Sequence, residues 1–353
     1  DKSTLPNGVK IKSGKLRGVE SNGMLCSGEE LGITDDWYEG ADVYGILILA
    51  DDTPIGEDIC KIVGLDDYIF DISITANRPD CQSIVGMARE VAAILKKEVR
   101  EPDITYTEDE SANDDEINIT VEAGDICPRY IGHYVKNTTA VKAPQWMRKR
   151  LALVGLNSIN ALVDITNFVL MELGQPMHAF DLADLEGKRI EVRRAKQGEK
   201  IVTLDEKEFK LSETNLVICD ARKPVALAGI MGGLNSEIKP TTHDVVFESA
   251  KFARDSVRKT SRSLGQSSDS SAKFCKGVDE YTTGCAIGRA LHLVQEIGCG
   301  TVSATHFDIM AHGEPKPTVV TTTFDKINKV LGIEVPNDEI ADILRRLRFT
   351  VTV

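Results

Sequence analysis

The run from Val163 to Asp181, VDITNFVLMELGQPMHAFD, places Asp164, Thr166, Asn167, Glu172 and His178 within nineteen residues that otherwise read as buried. A buried polar group without a partner costs ~1–3 kcal/mol. That density therefore requires either a neighbouring stretch of chain or a ligand to meet these groups. His178 follows Pro176-Met177 and suits the orientation of a substrate or a water near neutral pH. A lone histidine serves equally as a satisfied structural residue. Thr166 and Asn167 suit an ordinary turn or local backbone bonds. Glu248 sits between a strand-like VVF and SAKF, flanked by apolar residues. Its plain alternative is a strand-end carboxylate facing solvent, because Glu is rarely fully buried unless paired.

ALAGIMGG (226–233) is a small-residue loop of the kind that lets backbone approach a ligand closely. A tight strand connection would look the same. The loop has neither the GxxxxGK[ST] lysine nor GxGxxG spacing, which argues against a phosphate site. Lys251–Lys276 holds seven basic residues, Lys251, Arg254, Arg258, Lys259, Arg262, Lys273 and Lys276, against Asp255 and Asp269. Such a patch can face nucleic acid or be a solvated surface. No Ser-His-Asp order, HExxH or paired-carboxylate motif stands out.

The elements that must hold these groups follow from pattern. Residues 1–50 combine Gly with short apolar runs, ending in VYGILILA, and read as short strands and tight turns of a small β-barrel. Asp66–Ile74 predicts another strand, broken by ANRPD because Pro79 keeps Arg78 out of the helical region. Ile84, Met87, Ala88, Val91 and Ile94 predict a helix over 83–97. Residues 101–116 carry eight acids and read as a linker or exposed edge. A strand resumes at Ile117, Ile119 and Val121. Pro144 starts a helix with Met147, Leu151 and Val154 on one face, ended by Gly155. Residues 117–315 alternate strand-like and helical pieces and are enough for their own α+β core. After PKP (315–317) the pattern is strand, helix, helix, strand, with Asn337 as a cap and Ile340, Leu344 and Leu347 as a buried stripe.

The 353 residues suffice for two or three domains, and no apolar stretch approaches the ~20 residues of a membrane span. A net charge of −13 argues against gripping nucleic acid over the whole surface and weakens a DNA-binding reading of the small helical parts. The eight Cys show no CxxC pair and suit reduced thiols in a cytosolic protein. The chain opens at Asp1 and stops in FTVTV, which reads as a fragment of a longer protein.

Five ordered stretches carry a resemblance: LRGVESNGMLCSGEELGI, ITANRPDCQSIVGMAREVAAIL, NALVDITNFVLMELGQPMHAFD, ALAGIMGG and VVFESAKF. They are similar to the beta chain of bacterial phenylalanyl-tRNA synthetase over nearly the whole length. The resemblance implies an α+β multidomain fold: the end of an OB-type tRNA-binding barrel (1–55), a small helical, winged-helix-like domain (56–102), a large mixed α/β editing domain (103–315) and the start of a second small domain (316–353). It implies tRNA(Phe) and a synthetase alpha chain as partners, in a heterotetramer of two alpha and two beta chains in the cytoplasm. ATP and magnesium serve the whole enzyme, and no metal or cofactor is expected in this part.

The editing domain of that family removes tyrosine wrongly joined to tRNA(Phe). An apolar pocket built for Phe rejects an added hydroxyl by only ~10²-fold, so a second, hydrolytic sieve is needed. A deep carboxylate would accept the phenolic hydrogen bond and be left desolvated with Phe. By resemblance Glu248 is that reader, His178 and Gly229 belong to the editing pocket, and Thr166, Asn167 and Ala228 bind substrate. Ala228 and Gly229 would do so through backbone N–H groups. An aminoacyl ester is already activated, so positioning a water and stabilising the oxyanion can suffice. The proton acceptor stays open, the substrate's ribose hydroxyl being one choice. Arg258 and Arg262 are the candidate tRNA contacts. Here the chain departs from the family pattern at Ser263, Ser268, Ser270, Cys275 and Lys276. The alternative is a non-catalytic structural and tRNA-docking module.

Overall fold

The computed structural model describes residues 3–353, which divide into two compact units. One joins the residues up to Ile72 with Lys142–Asp164; the other joins Ser73–Val141 with Ile165–Val353.

In the first unit, β1 (Gly14–Leu16) and β2 (Val19–Ser21) form an antiparallel hairpin. Its turn residues Arg17 and Gly18 both have positive φ, 50° and 86°, the handedness that matches strand twist. α1 (Ile59–Val63) starts on an Asp58 cap and stops at Gly64, φ 71°. α3 (Gln145–Leu153) begins after Pro144 and buries Met147 and Leu151. Val154, expected on the same face, is 39% exposed. Ile33, Ala41 and Val63 make a small core with Trp37, Leu47 and Leu65. Arg148 is buried there and paired, its Nη1 lying 3.0 Å from Asp35 and 3.4 Å from Asp36.

The strands expected at VYGILILA and over Asp66–Ile74 do not form. Val43, Tyr44, Ile48, Tyr68 and Phe70 are exposed instead. Apolar β-formers become a strand only with a partner strand and a cover for their apolar face. Residues 3–72 therefore show one hairpin and no closed barrel.

The second unit contains two facing sheets. The first has the order β11-β10-β9-β6-β3, from β3 (Asn118–Val121), β6 (Arg189–Arg194), β9 (Leu216–Cys219), β10 (Pro224–Leu227) and β11 (Met231–Gly232). The second has the order β13-β4-β12-β5, from β4 (Arg129–Lys136), β5 (Met177–Asp181), β12 (Val245–Lys251) and β13 (Thr301–Met310), antiparallel throughout. β7 (Lys200–Val202) and β8 (Glu208–Lys210) make a separate hairpin. Ile119, Val192 and Ile218 from the first sheet pack with Tyr130, Phe180, Val246 and Ala250 from the second. Gly132 allows this closeness, since a Cβ there would lie 2.2 Å from Ile119 Cδ1.

Further helices are α2 (Ile84–Leu95), α4 (Ala161–Leu173, crossing the division between units), α5 (Arg254–Leu264), α6 (Asp269–Lys276), α7 (Glu280–Ile297), α8 (Phe324–Leu331) and α9 (Asn337–Arg346); α7 packs on β4, β12 and β13, α5 on β9 and α6, and α2 on α9. Asn337 is the first helical residue of α9 and makes no capping bond; Pro336 holds the cap position. The strands expected at 318–323 and in FTVTV are absent, and Phe349 and Val353 are exposed. The acidic segment 101–116 is partly docked. Asp109 bridges to Ser303, Asp114 lies 2.6 Å from Lys188 Nζ, and Ala112 is buried.

Candidate functional site

Glu248 stands mid-way along β12, opposite Gly132 of β4 on one side and His178 of β5 on the other. Successive strand residues alternate faces, so Val246, Glu248 and Ala250 share one side. Val246 and Ala250 belong to the core between the sheets, so the Glu248 carboxylate enters that core as well. It is only 6% exposed. The solvent-facing alternative is thereby removed.

The carboxylate is not bare. The hydroxyl of Tyr130, itself fully buried, donates to Glu248 Oε2 at 2.8 Å. Gly132, opposite it, has no side chain, and Ile119 Cδ1 occupies the position its Cβ would take. Burial raises the Glu248 carboxyl to about 7, while the Tyr130 hydrogen bond pulls the other way. Near neutrality the group divides between charged and neutral forms.

His178 shares a cross-strand register with Glu248. Its ring meets Phe180 edge-on, centroids 4.5 Å apart. Its Nε2 is sealed from solvent and has no hydrogen-bond partner. Burial lowers its pKa to about 4, so the imidazole is neutral at physiological pH. A Cβ on Gly232 would lie 2.5 Å from His178 Cε1 and 2.9 Å from Nε2. The small-residue loop thus reaches the histidine through Gly232 rather than Gly229.

Gly229 occupies the turn between β10 and β11 with φ +69°, and Ile230 N–H closes that turn on Leu227 O at 2.9 Å. A Cβ there would touch Phe252, Phe274 and Val257 at 3.0–3.1 Å, away from the imidazole. The Ala228 N–H donates to Leu216 O at 3.1 Å. That amide is therefore engaged within the sheet and does not stand free for a ligand. Ser268, one of the departures from the family pattern, caps α6 and donates its hydroxyl to Ile230 O at 2.6 Å, fastening the same loop.

Thr166 and Asn167 lie in helix α4, not in a turn, with Thr166 buried and Asn167 half-buried. Gln175, just beyond α4, donates to Ala250 O at 2.8 Å and links this region to β12. Asp164 and Glu172 of the 163–181 run are met by chain, whereas Gln175 Oε1 is buried without a hydrogen-bond partner. Asp164 accepts from Ser158 Oγ at 2.5 Å, and Glu172 pairs with Arg289 at 2.7 Å. Among the described residues His178 keeps the unanswered nitrogen of that run. Arg258 and Arg262 are exposed on α5 together with Arg254, one helical turn apart each. An open groove of about 460 Å³, lined by Lys200, Ile201, Lys223, Pro224, Leu234 and Asn235 among others, contains neither Glu248 nor His178.

Tyr130 and Gly232 were missed in the sequence. Tyr130 gave no local signal, because its meeting with Glu248 depends on the pairing of β4 with β12, 118 residues apart in the chain. Gly232 lay inside the ALAGIMGG motif but was not distinguished from Gly229.

Residues 126–299 match the family model for the B3/4 domain. The chain is 47% identical over 99% of its length to the phenylalanine–tRNA ligase beta subunit of Syntrophus aciditrophicus, and 43% identical over 99% to that of Clostridium acetobutylicum. The chain is a relative of the phenylalanine–tRNA ligase beta subunits. It spans 42% and 44% of those two proteins, under half of their length. A solved N-terminal fragment of the beta subunit from Pyrococcus horikoshii aligns with 78% of this chain and 75% of its own, at 15% identity and a TM-score of 0.38, a likeness too loose to bear on the fold. No helix among the described residues is long and apolar enough to cross a membrane.

Proposed function

We propose that this chain is part of a phenylalanine–tRNA ligase beta chain and carries its editing step, hydrolysis of tyrosine from mischarged tRNA(Phe). The single observation that supports it is the buried carboxylate of Glu248, held between two sheets beside a neutral histidine. One of its oxygens already accepts from a phenol, that of Tyr130. The geometry is thus suited to a phenolic hydroxyl, and a second phenol would meet the other oxygen. Phe would leave that oxygen desolvated without a new bond, which costs more than the lost contact alone. His178, neutral with one open nitrogen, is placed to orient a water or the ester. Gly229 N–H is a donor candidate for the oxyanion; Thr166 and Asn167 would line the approach. Ala228 would contribute through its small size.

The whole enzyme would take Phe, ATP with magnesium and tRNA(Phe), with an alpha chain as partner, in the cytoplasm. In this reading residues 103–315 are the editing domain, 1–55 the end of the barrel domain, 56–102 and 316–353 the small flanking domains. A docking module without hydrolysis is the second reading, and the exposed Arg254, Arg258 and Arg262 stripe favours it. The deciding experiment is deacylation of Tyr-tRNA(Phe) by the assembled enzyme with Glu248→Ala. Slower clearance of Tyr-tRNA and a smaller preference over Phe-tRNA are expected. An unchanged rate would leave the docking reading.

A further inference from the structure

Away from Glu248, one cluster has the donor chemistry of a metal site. His133 on β4 and His306 on β13 are partners in register, and their rings stack with centroids 5.2 Å apart and planes 7° from parallel. Glu108, from the acidic segment, brings Oε1 to 3.6 Å from His306 Nδ1. One nitrogen of each imidazole and one Glu108 oxygen lie within 4.8 Å of one another.

Both rings are oriented by carbonyls of consecutive residues. His133 Nε2 is 2.8 Å from Ser303 O, and His306 Nδ1 is 3.1 Å from Ala304 O. A carbonyl only accepts, so these nitrogens carry the protons and the opposite ones keep their lone pairs. An imidazole tied by one N–H to a carbonyl, with its other nitrogen available, is the arrangement that supports metal-bound histidine. The two carbonyls come from the stretch where β13 shifts register against β4, between Val302 and His306. Such irregularities re-aim side chains. Tyr106 packs edge-on against His133, centroids 5.6 Å apart, and fixes its ring.

We propose that Glu108, His133 and His306 bind a divalent ion of the zinc class, His133 through Nδ1. His306 binds through Nε2, the nitrogen opposite the one tied to Ala304 O, and its side chain is 48% exposed. Zinc holds nitrogen and oxygen ligands at ~2.0–2.2 Å, so tetrahedral donors stand roughly 3.3 Å apart. The two surface side chains, Glu108 and His306, close the difference. Two imidazoles and one carboxylate suit zinc better than the harder magnesium or calcium. A fourth position is left for water. The bound ion would fasten the 103–109 segment to the sheet edge. The expectation of no metal followed from the family resemblance, which assigns magnesium to the whole enzyme, and the three donors lie far apart in the chain, where no ligand spacing is visible.

The test titrates the reduced 353-residue chain with Zn²⁺, and with Co²⁺ as a spectroscopic probe. One equivalent should bind, with four-coordinate Co²⁺ bands that lack thiolate charge transfer, and Zn²⁺ should raise Tm. His306→Ala and Glu108→Gln, both at the surface, should each weaken binding at least about tenfold with unchanged circular dichroism. His133 is left intact because it is buried. No saturable binding, thiolate bands, or affinity indifferent to both substitutions would overturn the proposal.

Discussion

The hydroxyl of Tyr130 donates to Glu248 Oε2 at 2.8 Å, so the buried acid of this chain is satisfied by a phenol of the chain itself. That bond joins β4 to β12 on the face that meets the other sheet. It sets the first expectation. Tyr130→Phe strips the acid of its donor and should cost ~1–3 kcal/mol at pH 8. The loss should shrink at pH 5, where Glu248 is protonated. Urea denaturation at the two pH values checks it; equal losses at both would contradict it.

Glu248 titrates at about 7 in the fold and 4.5 in model compounds. A carboxyl raised by folding binds its proton more tightly in the native state. Stability therefore falls as pH rises from about 4.5 to about 7 and is flat beyond. Glu248→Gln removes this penalty. The variant should gain on the wild type at pH 8, by a few kcal/mol at most, and show little gain at pH 4.5. Thermal melts across that range read the crossover.

His178 has the opposite linkage. Its pKa is lowered to about 4 from 6.5. The stability it contributes is present above pH 6.5 and is lost as pH falls towards 4. Gly232→Ala should displace the ring, since the new Cβ would come within 2.5 Å of Cε1. Tyr-tRNA deacylation should then drop by about tenfold or more, as small misplacements in a site do. Gly229→Ala is a different case. Its φ of +69° and its contacts with Phe252 and Phe274 predict a loss of stability first, read as a lower Tm.

Local pattern made helix α2, strand β3 and helix α3 readable. Each has its own periodicity, and the two helices start at Ser83 and Pro144. The same reasoning over-read VYGILILA and FTVTV. Their composition is that of strands, yet neither forms a strand ladder, Leu47 N–H making a single bond to Cys26 O. Glu248 was legible as an acid among apolar neighbours, and its burial agrees with that. Tyr130 was not legible, because cross-strand partners are set by register, which no short window contains. The Ala228 amide was misjudged for the same reason: its bond to Leu216 is a sheet contact.

Arg254, Arg258 and Arg262 lie along α5, and none forms an ion pair among the described residues. If tRNA backbone crosses this helix, Arg258→Glu with Arg262→Glu should slow tRNA-dependent clearance and flatten its salt dependence. The Tyr-over-Phe ratio should stay as it was, because Glu248 and its neighbours are untouched. Rate against salt concentration, for both substrates, makes the measurement.

The Tyr130 bond to Glu248 also constrains any redesign of the space between the two sheets. Replacing the acid by an aliphatic residue would strand a hydroxyl that has no water to turn to. Neutralising both members together should be milder than the sum of the single changes. Neighbouring chemistries are therefore reached by paired substitutions across two strands, not by one.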